Sequence, residues 1–301
     1  MSRIYEALQK AELERKDVLD PQSEQPAEDI VFPEPSEPFA TKAFVDLDKV
    51  TRQPWNPSAL SLPTLAERGE CVEQFRSLRS QIYLLRMEAK LKTILVSSGM
   101  PAEGKTFVAA NLAISLARNQ DRRVLLIDGD LRRPSIYKLL GAPNSPGMAD
   151  YLSGNATVPA IMQCNATPGS DDKKSVRAIS NLTFIPAGDC GGGSPEIAGN
   201  HRTEELIATL APHFDWIVID SPPVLAVTDA VDLARAVDGV LLVAREATTP
   251  YDVAQRARNA FANSRTLGFV LNAVKDPPRS GYYYSYYAKQ DAGRQHKRRK
   301  D

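Results

Sequence analysis

The stretch Gly99-Met-Pro-Ala-Glu-Gly-Lys-Thr106 decides the fold of this chain, because it has the G-x-x-x-x-G-K-[ST] spacing of a phosphate-binding loop. An apolar run at residues 93–98 precedes it, and an amphipathic stretch at residues 107–117 follows it. The motif requires this strand–loop–helix order, which a chance glycine-rich loop would lack. The glycines let backbone N–H groups point at phosphate oxygens, and the N-terminus of the helix adds a positive dipole end. The sequence therefore predicts a nucleotide site.

The two residues that end this loop have separate predicted roles. Lys105 should reach the β- and γ-phosphates of ATP, and the Thr106 hydroxyl should hold Mg²⁺. We therefore expect ATP and Mg²⁺ as cofactors. The residues of this segment that are predicted to contact the nucleotide are Gly99, Ala102, Glu103, Gly104, Lys105, Thr106 and Phe107.

Two apolar stretches further along the chain end in carboxylates. One runs into Asp128 and Asp130, and the other runs into Asp220. Ligands bind at the carboxyl ends of the strands in an open parallel sheet, so these acids should lie beside the phosphate loop. A single acid there could simply cap the next helix, but three acids beside a phosphate loop favour a metal site. We predict Asp130 and Asp220 as Mg²⁺-side carboxylates, with Asp220 acting directly or through water.

A carboxylate is also needed if the phosphate acceptor is a tyrosine. The tyrosine hydroxyl has a pKa of about 10, so a base must accept its proton during transfer. Asp128 is the predicted base, and Asp130 the predicted metal support. The sequence leaves the division of roles between these two residues open.

Composition narrows the classes of function. The chain has 301 residues with 37 Lys+Arg and 37 Asp+Glu, so its net charge is zero and no nucleic-acid partner is expected. The basic end at residues 294–300 could contact anionic lipid or nucleic acid, but a solvated charged terminus is the favoured interpretation. Three cysteines without paired spacing fit a reducing compartment, and no apolar run could span a bilayer. We expect a cytoplasmic protein that reaches the inner membrane only through a partner.

The chain divides into four predicted regions. Residues 1–16 form a short helix or a frayed polar start, residues 17–65 form a proline-rich disordered linker, residues 66–276 form the P-loop domain, and residues 277–301 form a flexible tail. A helix is predicted at residues 67–90, and residues 164–181 are predicted to be a loop. Alternation of strands and helices predicts an α/β, P-loop NTPase-like fold, a mostly parallel sheet with helices on both faces. The strands are predicted near residues 93–98, 123–128, 182–186, 215–220, 239–244 and 267–272.

Taken together, residues 97–106, 126–134 and 218–223 resemble the Walker A, A′ and B motifs of the bacterial tyrosine kinases. The resemblance covers residues 67–287 and implies an ATP-dependent protein-tyrosine autokinase that regulates exopolysaccharide or capsule polymerisation or export. It also implies that Asn272 lies by the adenine ring. The implied partners are a transmembrane polysaccharide co-polymerase (a chain-length determinant protein), further copies of this chain in a ring while unphosphorylated, and a tyrosine phosphatase.

Two further segments favour this family. The pattern E-x-x-R-x-x-R at Glu73, Arg76 and Arg79 places three side chains near one helix face. In the family this motif builds the ring, although without the resemblance these residues would favour intrahelical salt bridges. Five of the ten tyrosines fall within six residues of the tail. They are the predicted phosphoacceptors, with an aromatic tail for binding sugars or peptides as the alternative: Tyr282, Tyr283, Tyr284, Tyr286 and Tyr287.

Some residues depart from the family pattern or bear on other functions. Ala102 stands where family members often have glycine, and alanine takes a positive φ less readily. Residues 163–180 are longer than the usual connection.

The alternative functions are a MinD/ParA-like positioning ATPase and a catalytically weak nucleotide-binding scaffold of the export complex. Positioning ATPases usually carry a lysine where this chain has Met100, and the intact P-loop and acids argue against a scaffold.

Overall fold

The fold is built on one eight-stranded sheet. The computed structural model describes residues 49–166, 179–189 and 201–275. Its strand order is β1-β4-β5-β3-β6-β2-β7-β8, with the six strands from β5 to β8 parallel. At one edge β4 runs antiparallel to β5 and parallel to β1. The strands are β1 (Thr51–Gln53), β2 (Thr93–Ser98), β3 (Val124–Asp128), β4 (Gln163–Asn165), β5 (Leu182–Ile185), β6 (Trp216–Asp220), β7 (Gly239–Arg245) and β8 (Thr266–Asn272).

Helices cover both faces of the sheet. Strand residues alternate between two buried clusters: Ile94 and Val96 enter one, and Leu95 enters the other. This two-sided burial explains why the parallel strands are continuous apolar runs. Helices α1 to α3 contribute to the first cluster and α4 to α8 to the second. The helices are α1 (Glu70–Glu88), α2 (Lys105–Ala117), α3 (Ile136–Leu140), α4 (Met148–Leu152), α5 (Val158–Ile161), α6 (His201–Leu210), α7 (Asp229–Arg235) and α8 (Tyr251–Ala260).

The predicted fold class is confirmed, and each of the six predicted strands is observed to within one residue at either end. The long helix predicted at residues 67–90 is observed as α1. Among the described residues, no helix is both long and apolar enough to cross a membrane. The predicted helix at residues 1–16 and the tail at residues 277–301 lie outside the described residues.

The predicted linker boundary at residue 65 is wrong. Residues 49–65 belong to the folded body: they supply strand β1, and four of their apolar side chains are buried, namely Val50, Trp55, Leu62 and Leu65. Trp55 packs edge-on against Phe184 at 6.2 Å, and its indole N–H donates to Gln163 Oε1 at 3.2 Å. The prolines of this segment favour extended backbone, which is compatible with packing across a sheet edge. The apolar residues of this segment follow neither a helical nor a strand periodicity, so the sequence did not indicate that they are buried.

Strand β4 corrects a second expectation. Gln163–Asn165 overlaps the start of the predicted loop at residues 164–181, yet it pairs with both β1 and β5. A three-residue polar strand at a sheet edge has no apolar alternation to reveal it. Its existence depends on β1, which arrives from more than one hundred residues earlier in the chain.

Candidate active site

The phosphate loop connects the end of β2 to the start of α2. Gly104 caps α2 in the left-handed region with φ 94°. Ala102 also has a positive φ, 64°, so the alanine occupies the conformation that glycine adopts most readily. A left-handed conformation costs a non-glycine residue about 1–2 kcal/mol. The loop therefore keeps its left-handed turn at Ala102 at the expense of some stability.

Side chains from the ends of β7 and β8 brace this loop. Glu103 is buried, and its carboxylate accepts hydrogen bonds from the Met100 N–H at 2.7 Å and from the Thr249 hydroxyl. The Arg245 guanidinium donates to the Ala102 carbonyl at 3.3 Å. Glu103 was predicted to contact the nucleotide, but its carboxylate is occupied in holding the loop. Thr249 and Arg245 gave no motif signal because they lie far away in sequence.

Asn272 completes the brace at the end of β8. Its side-chain amide donates to the Glu103 carbonyl at 2.9 Å. A Cβ atom placed on Gly104 would come within 2.0 Å of the same Asn272 nitrogen. Glycine is therefore needed at position 104 for close packing as well as for its backbone angle. The predicted contact of Asn272 with adenine stays a prediction.

The reactive polar groups form a connected set at the ends of β2, β3 and β6. The Lys105 ammonium lies 3.0 Å from Asp130 Oδ2. The Thr106 hydroxyl donates to Asp220 Oδ2 at 2.6 Å. The structure thus brings Lys105, Thr106, Asp130 and Asp220 together as the sequence predicted. Phe107, also predicted to contact the nucleotide, turns its ring towards Phe75 of α1 at 5.9 Å, so only its backbone remains for that role.

Asp220 has an unsatisfied oxygen. It is fully buried, and its Oδ1 atom has no hydrogen-bond partner among the described residues. Burial raises the pKa of Asp220 to about 8, while the charge of Lys105 and the hydrogen bond from Thr106 act in the opposite direction. An orphaned carboxylate oxygen beside a threonine hydroxyl matches the oxygen ligands that Mg²⁺ takes. These residues fit a magnesium ion.

The described side chains alone do not supply a complete set of metal ligands. Among the described residues, no group of three or more His, Cys, Asp or Glu side chains is arranged to hold a metal. Magnesium usually keeps several waters and is bound through one or two carboxylates together with substrate phosphates. The site therefore suits a metal that arrives with a nucleotide.

Asp128 is buried and holds the loop that follows β3. Its Oδ2 accepts the N–H groups of Ser135 at 3.0 Å and Ile136 at 3.1 Å, and its Oδ1 accepts the Asp130 N–H at 3.3 Å. Burial raises the pKa of Asp128 to about 6, although these backbone hydrogen bonds oppose the shift. The carboxylate is therefore more basic than an ordinary aspartate and also orders residues 129–136.

Gly129 was not singled out from the sequence, yet it sets the spacing between the acids. Its N–H donates to the Asp220 carbonyl at 2.8 Å, and a Cβ atom there would lie 2.7 Å from that same oxygen. Asp128 and Asp220 are register partners on β3 and β6. A side chain at position 129 would push the two acidic strand ends apart. The signal in the sequence was a glycine between two aspartates.

The E-x-x-R-x-x-R residues make contacts within the chain. Arg76 forms an ion pair with Glu73, which is the intrahelical alternative noted above. Arg79 donates to the Ser115 carbonyl at 2.6 Å, near the carboxyl end of α2. The oligomeric role of these residues stays a prediction. The five predicted phosphoacceptor tyrosines lie outside the described residues.

Comparisons with known proteins agree with this geometry. The family model for the CobQ/CobB/MinD/ParA nucleotide binding domain matches residues 94–296. The putative tyrosine-protein kinase CapB of Staphylococcus aureus is 32% identical over 216 residues, which cover 71% of this chain and 89% of CapB. The tyrosine-protein kinase wzc of Salmonella typhimurium is 34% identical over 218 residues, or 72% of this chain. The chain spans only 28% of the length of that protein.

Solved structures extend the similarity to three dimensions. The kinase domain of the Escherichia coli tyrosine kinase ETK superposes with a TM-score of 0.65 at 28% identity. The match covers 79% of this chain and 90% of the ETK domain. The residues matched by the family model, 94–296, contain the phosphate loop and the strands that carry all three acids.

Proposed function

This chain belongs to the bacterial tyrosine kinases of the CobQ/CobB/MinD/ParA nucleotide-binding family, and we propose that it is an ATP-dependent protein-tyrosine autokinase. The observation that carries the proposal is the connected set of Lys105, Thr106, Asp130 and Asp220, with one orphaned oxygen on Asp220. The acceptors are the tail tyrosines 282–287 of a neighbouring copy. Its biological setting is exopolysaccharide or capsule polymerisation or export.

Each charged residue has a proposed task. Lys105 places its ammonium at the β- and γ-phosphates of ATP, leaving its ion pair with Asp130. Thr106 and Asp220 would hold Mg²⁺ and Asp130 would support it, and the ion would supply charge neutralisation at the transferring phosphoryl group. The backbone N–H groups of residues 102–106 cradle the phosphates at the N-terminus of α2.

Asp128 is the proposed base. It accepts the proton as the tyrosine oxygen bonds to the γ-phosphorus, while the bond from that phosphorus to the bridging oxygen breaks and ADP leaves. Its raised pKa supports this role, because a more basic carboxylate accepts the proton more readily. Asp128 and Asp220 are register partners on β3 and β6, which supports a base close to the proposed metal ligands.

The experiment is mass spectrometry of phosphotyrosine on the purified, dephosphorylated chain after incubation with ATP and Mg²⁺. The proposal expects phosphate on residues 282–287 and none in the Lys105→Met variant. Replacing all five tail tyrosines with phenylalanine should remove most of the signal. Nucleotide hydrolysis with no phosphotyrosine would instead support a positioning ATPase, for which Met100 in place of lysine is the contrary feature. Nucleotide binding with neither activity would support a scaffold.

We further propose that unphosphorylated copies form a ring through Glu73, Arg76 and Arg79. Several phosphates on the tail, each adding about −1.5 to −2 charges, would disfavour its retention beside three aspartates and open the ring. A phosphatase would complete the cycle, and a transmembrane co-polymerase would hold the ring at the membrane. Light scattering at matched salt should show oligomers of dephosphorylated protein and monomers of phosphorylated protein. An unchanged mass for the triple alanine variant, where the parent forms rings, would refute the interface.

A further inference from the structure

Three arginines converge on a surface cleft that the catalytic proposal does not use. The arginine cleft has a volume of about 350 Å³ and is lined by Arg76, Arg79, Tyr83, Arg118 and Asn119. It lies at the carboxyl end of α2, whereas Lys105 begins that helix. A helix of 13 residues is about 20 Å long, so the cleft is separate from the nucleotide site.

The guanidinium groups in the cleft are incompletely matched by negative charge. Arg79 donates to the Ser115 carbonyl, and Arg118 donates to the carbonyls of Thr64, Leu65 and Ala66. Carbonyl oxygens carry only partial charges, although those at a helix end add to a negative dipole. Each guanidinium has five N–H donors, so donors remain on Arg79 and Arg118.

Two carboxylates reach the cleft. Glu73 pairs with Arg76, and Glu67 acts on Arg118 through its charge. The pKa of the Arg118 guanidinium is lowered, first by partial burial and then by the nearby charges of Arg76 and Arg79. The repulsion from two other cations therefore exceeds the attraction from Glu67. A bound anion would relieve this repulsion.

Tyr83 supplies the aromatic wall of the cleft. Its hydroxyl is buried and has no hydrogen-bond partner among the described residues. Its ring packs edge-on against Trp216 at 5.4 Å, which fixes the position of that hydroxyl. The cleft thus offers guanidinium donors and an aromatic wall.

We propose that the arginine cleft binds the phosphotyrosine of a phosphorylated tail, residues 282–287, from this chain or a second copy. Planar guanidinium groups bind phosphate bidentately, and the cleft volume accommodates a phenyl phosphate. The occupant rests on the proposed function, because autophosphorylation produces this ligand. Arg76 and Arg79 are also proposed ring residues, so a docked phosphotyrosine would compete with ring assembly. The phosphorylated tail would then oppose the ring by occupying the interface itself.

The test uses a synthetic peptide of residues 279–290 with phosphotyrosine at position 284, titrated into the dephosphorylated full chain without ATP. Fluorescence anisotropy should show binding at least about tenfold tighter than for the unphosphorylated peptide, as expected for charge-assisted hydrogen bonds. Phenyl phosphate should displace the peptide more effectively than ATP does. Displacement by ATP at lower concentration would place the peptide in the nucleotide site and overturn the proposal.

Variants of matched charge locate the site. Arg79→Gln should weaken phosphopeptide binding about tenfold, whereas Arg122→Gln, which removes an exposed charge paired with Asp215, should have little effect. Glu73→Gln should strengthen binding by freeing Arg76 from its ion pair. Unfolding midpoints show whether each variant is folded. If Arg79→Gln does not fold, the gain in binding expected for Glu73→Gln still tests the cleft.

The outcomes separate this inference from the catalytic proposal, because the phosphopeptide is made chemically. Equal effects of Arg79→Gln and Arg122→Gln, or no gain in Glu73→Gln, would overturn the cleft as the binding site. Absence of phosphotyrosine in the autokinase assay would overturn the proposed function even if the peptide bound.

Discussion

Replacing Trp55 with alanine tests whether residues 49–65 belong to the folded body. Trp55 is 5% exposed, packs edge-on against Phe184 and donates to Gln163. Truncation of a buried Trp to Ala costs about 3–5 kcal/mol, and the buried Gln163 oxygen left without its donor adds about 1 kcal/mol. For a domain of this size each kcal/mol lowers the Tm by about 2–4 °C. A cost of about 5 kcal/mol therefore predicts a Tm lower by roughly 10–20 °C.

The matched control is Leu60→Ala in the same segment. Leu60 is 94% exposed, so its truncation should change the free energy of unfolding by less than about 0.5 kcal/mol. Urea unfolding can be followed by the fluorescence of Trp216, which both variants retain. If Trp55→Ala unfolded within about 0.5 kcal/mol of the Leu60→Ala control, residues 49–65 would not contribute to the core as described.

Three further predictions concern single residues. Ala102→Gly should stabilise the chain by about 0.5–1 kcal/mol in urea unfolding, because glycine accepts the left-handed conformation; a loss of stability would show that the loop does not hold that angle. Burial would raise the pKa of Asp238, but hydrogen bonds from Thr93 and Lys92 outweigh it and the pKa lies below its usual value. The stability lost in Asp238→Ala should therefore be constant near neutral pH and shrink as the pH falls below about 4, because Asp238 of the unfolded chain takes up a proton at a higher pH than the folded residue does. Unfolding from pH 7 to pH 3 would show a constant difference if the bonds were unimportant. Asp128→Asn should slow single-turnover tyrosine transfer by at least about 100-fold while nucleotide binding stays measurable, and a full transfer rate would rule out Asp128 as the base.

Local pattern was sufficient for the central part of the fold. The parallel strands are buried on both faces, so each appears in the sequence as an unbroken apolar run. Such a strand can be predicted without knowing which strands lie beside it. The phosphate loop and the acids at the ends of β3 and β6 were predictable for the same reason. Their chemistry is carried by residues adjacent in sequence, and the carboxyl ends of parallel strands necessarily meet at one edge.

The supports of the site could not be predicted in this way. Arg245 and Thr249 reach the phosphate loop only because β7 lies beside β2 in the sheet. The packing of Asn272 over Gly104 depends equally on the position of β8. Such contacts join residues more than one hundred positions apart, and no local periodicity encodes them.

The sequence by itself was enough to predict the nucleotide site, its acids and the family, because the phosphate loop lies within one strand–loop–helix unit and each acid follows an apolar strand directly. Only the tertiary structure decided that residues 49–65 complete the sheet edge. The role of Trp55 in the core depends on its contacts with Phe184 and Gln163, which are distant in sequence. Only the tertiary structure decided that Arg118, at the end of α2, joins Arg76 and Arg79 of α1 around one cleft. Helix packing sets which distant charges become neighbours, and repulsion among those neighbours is what a phosphate ligand would relieve.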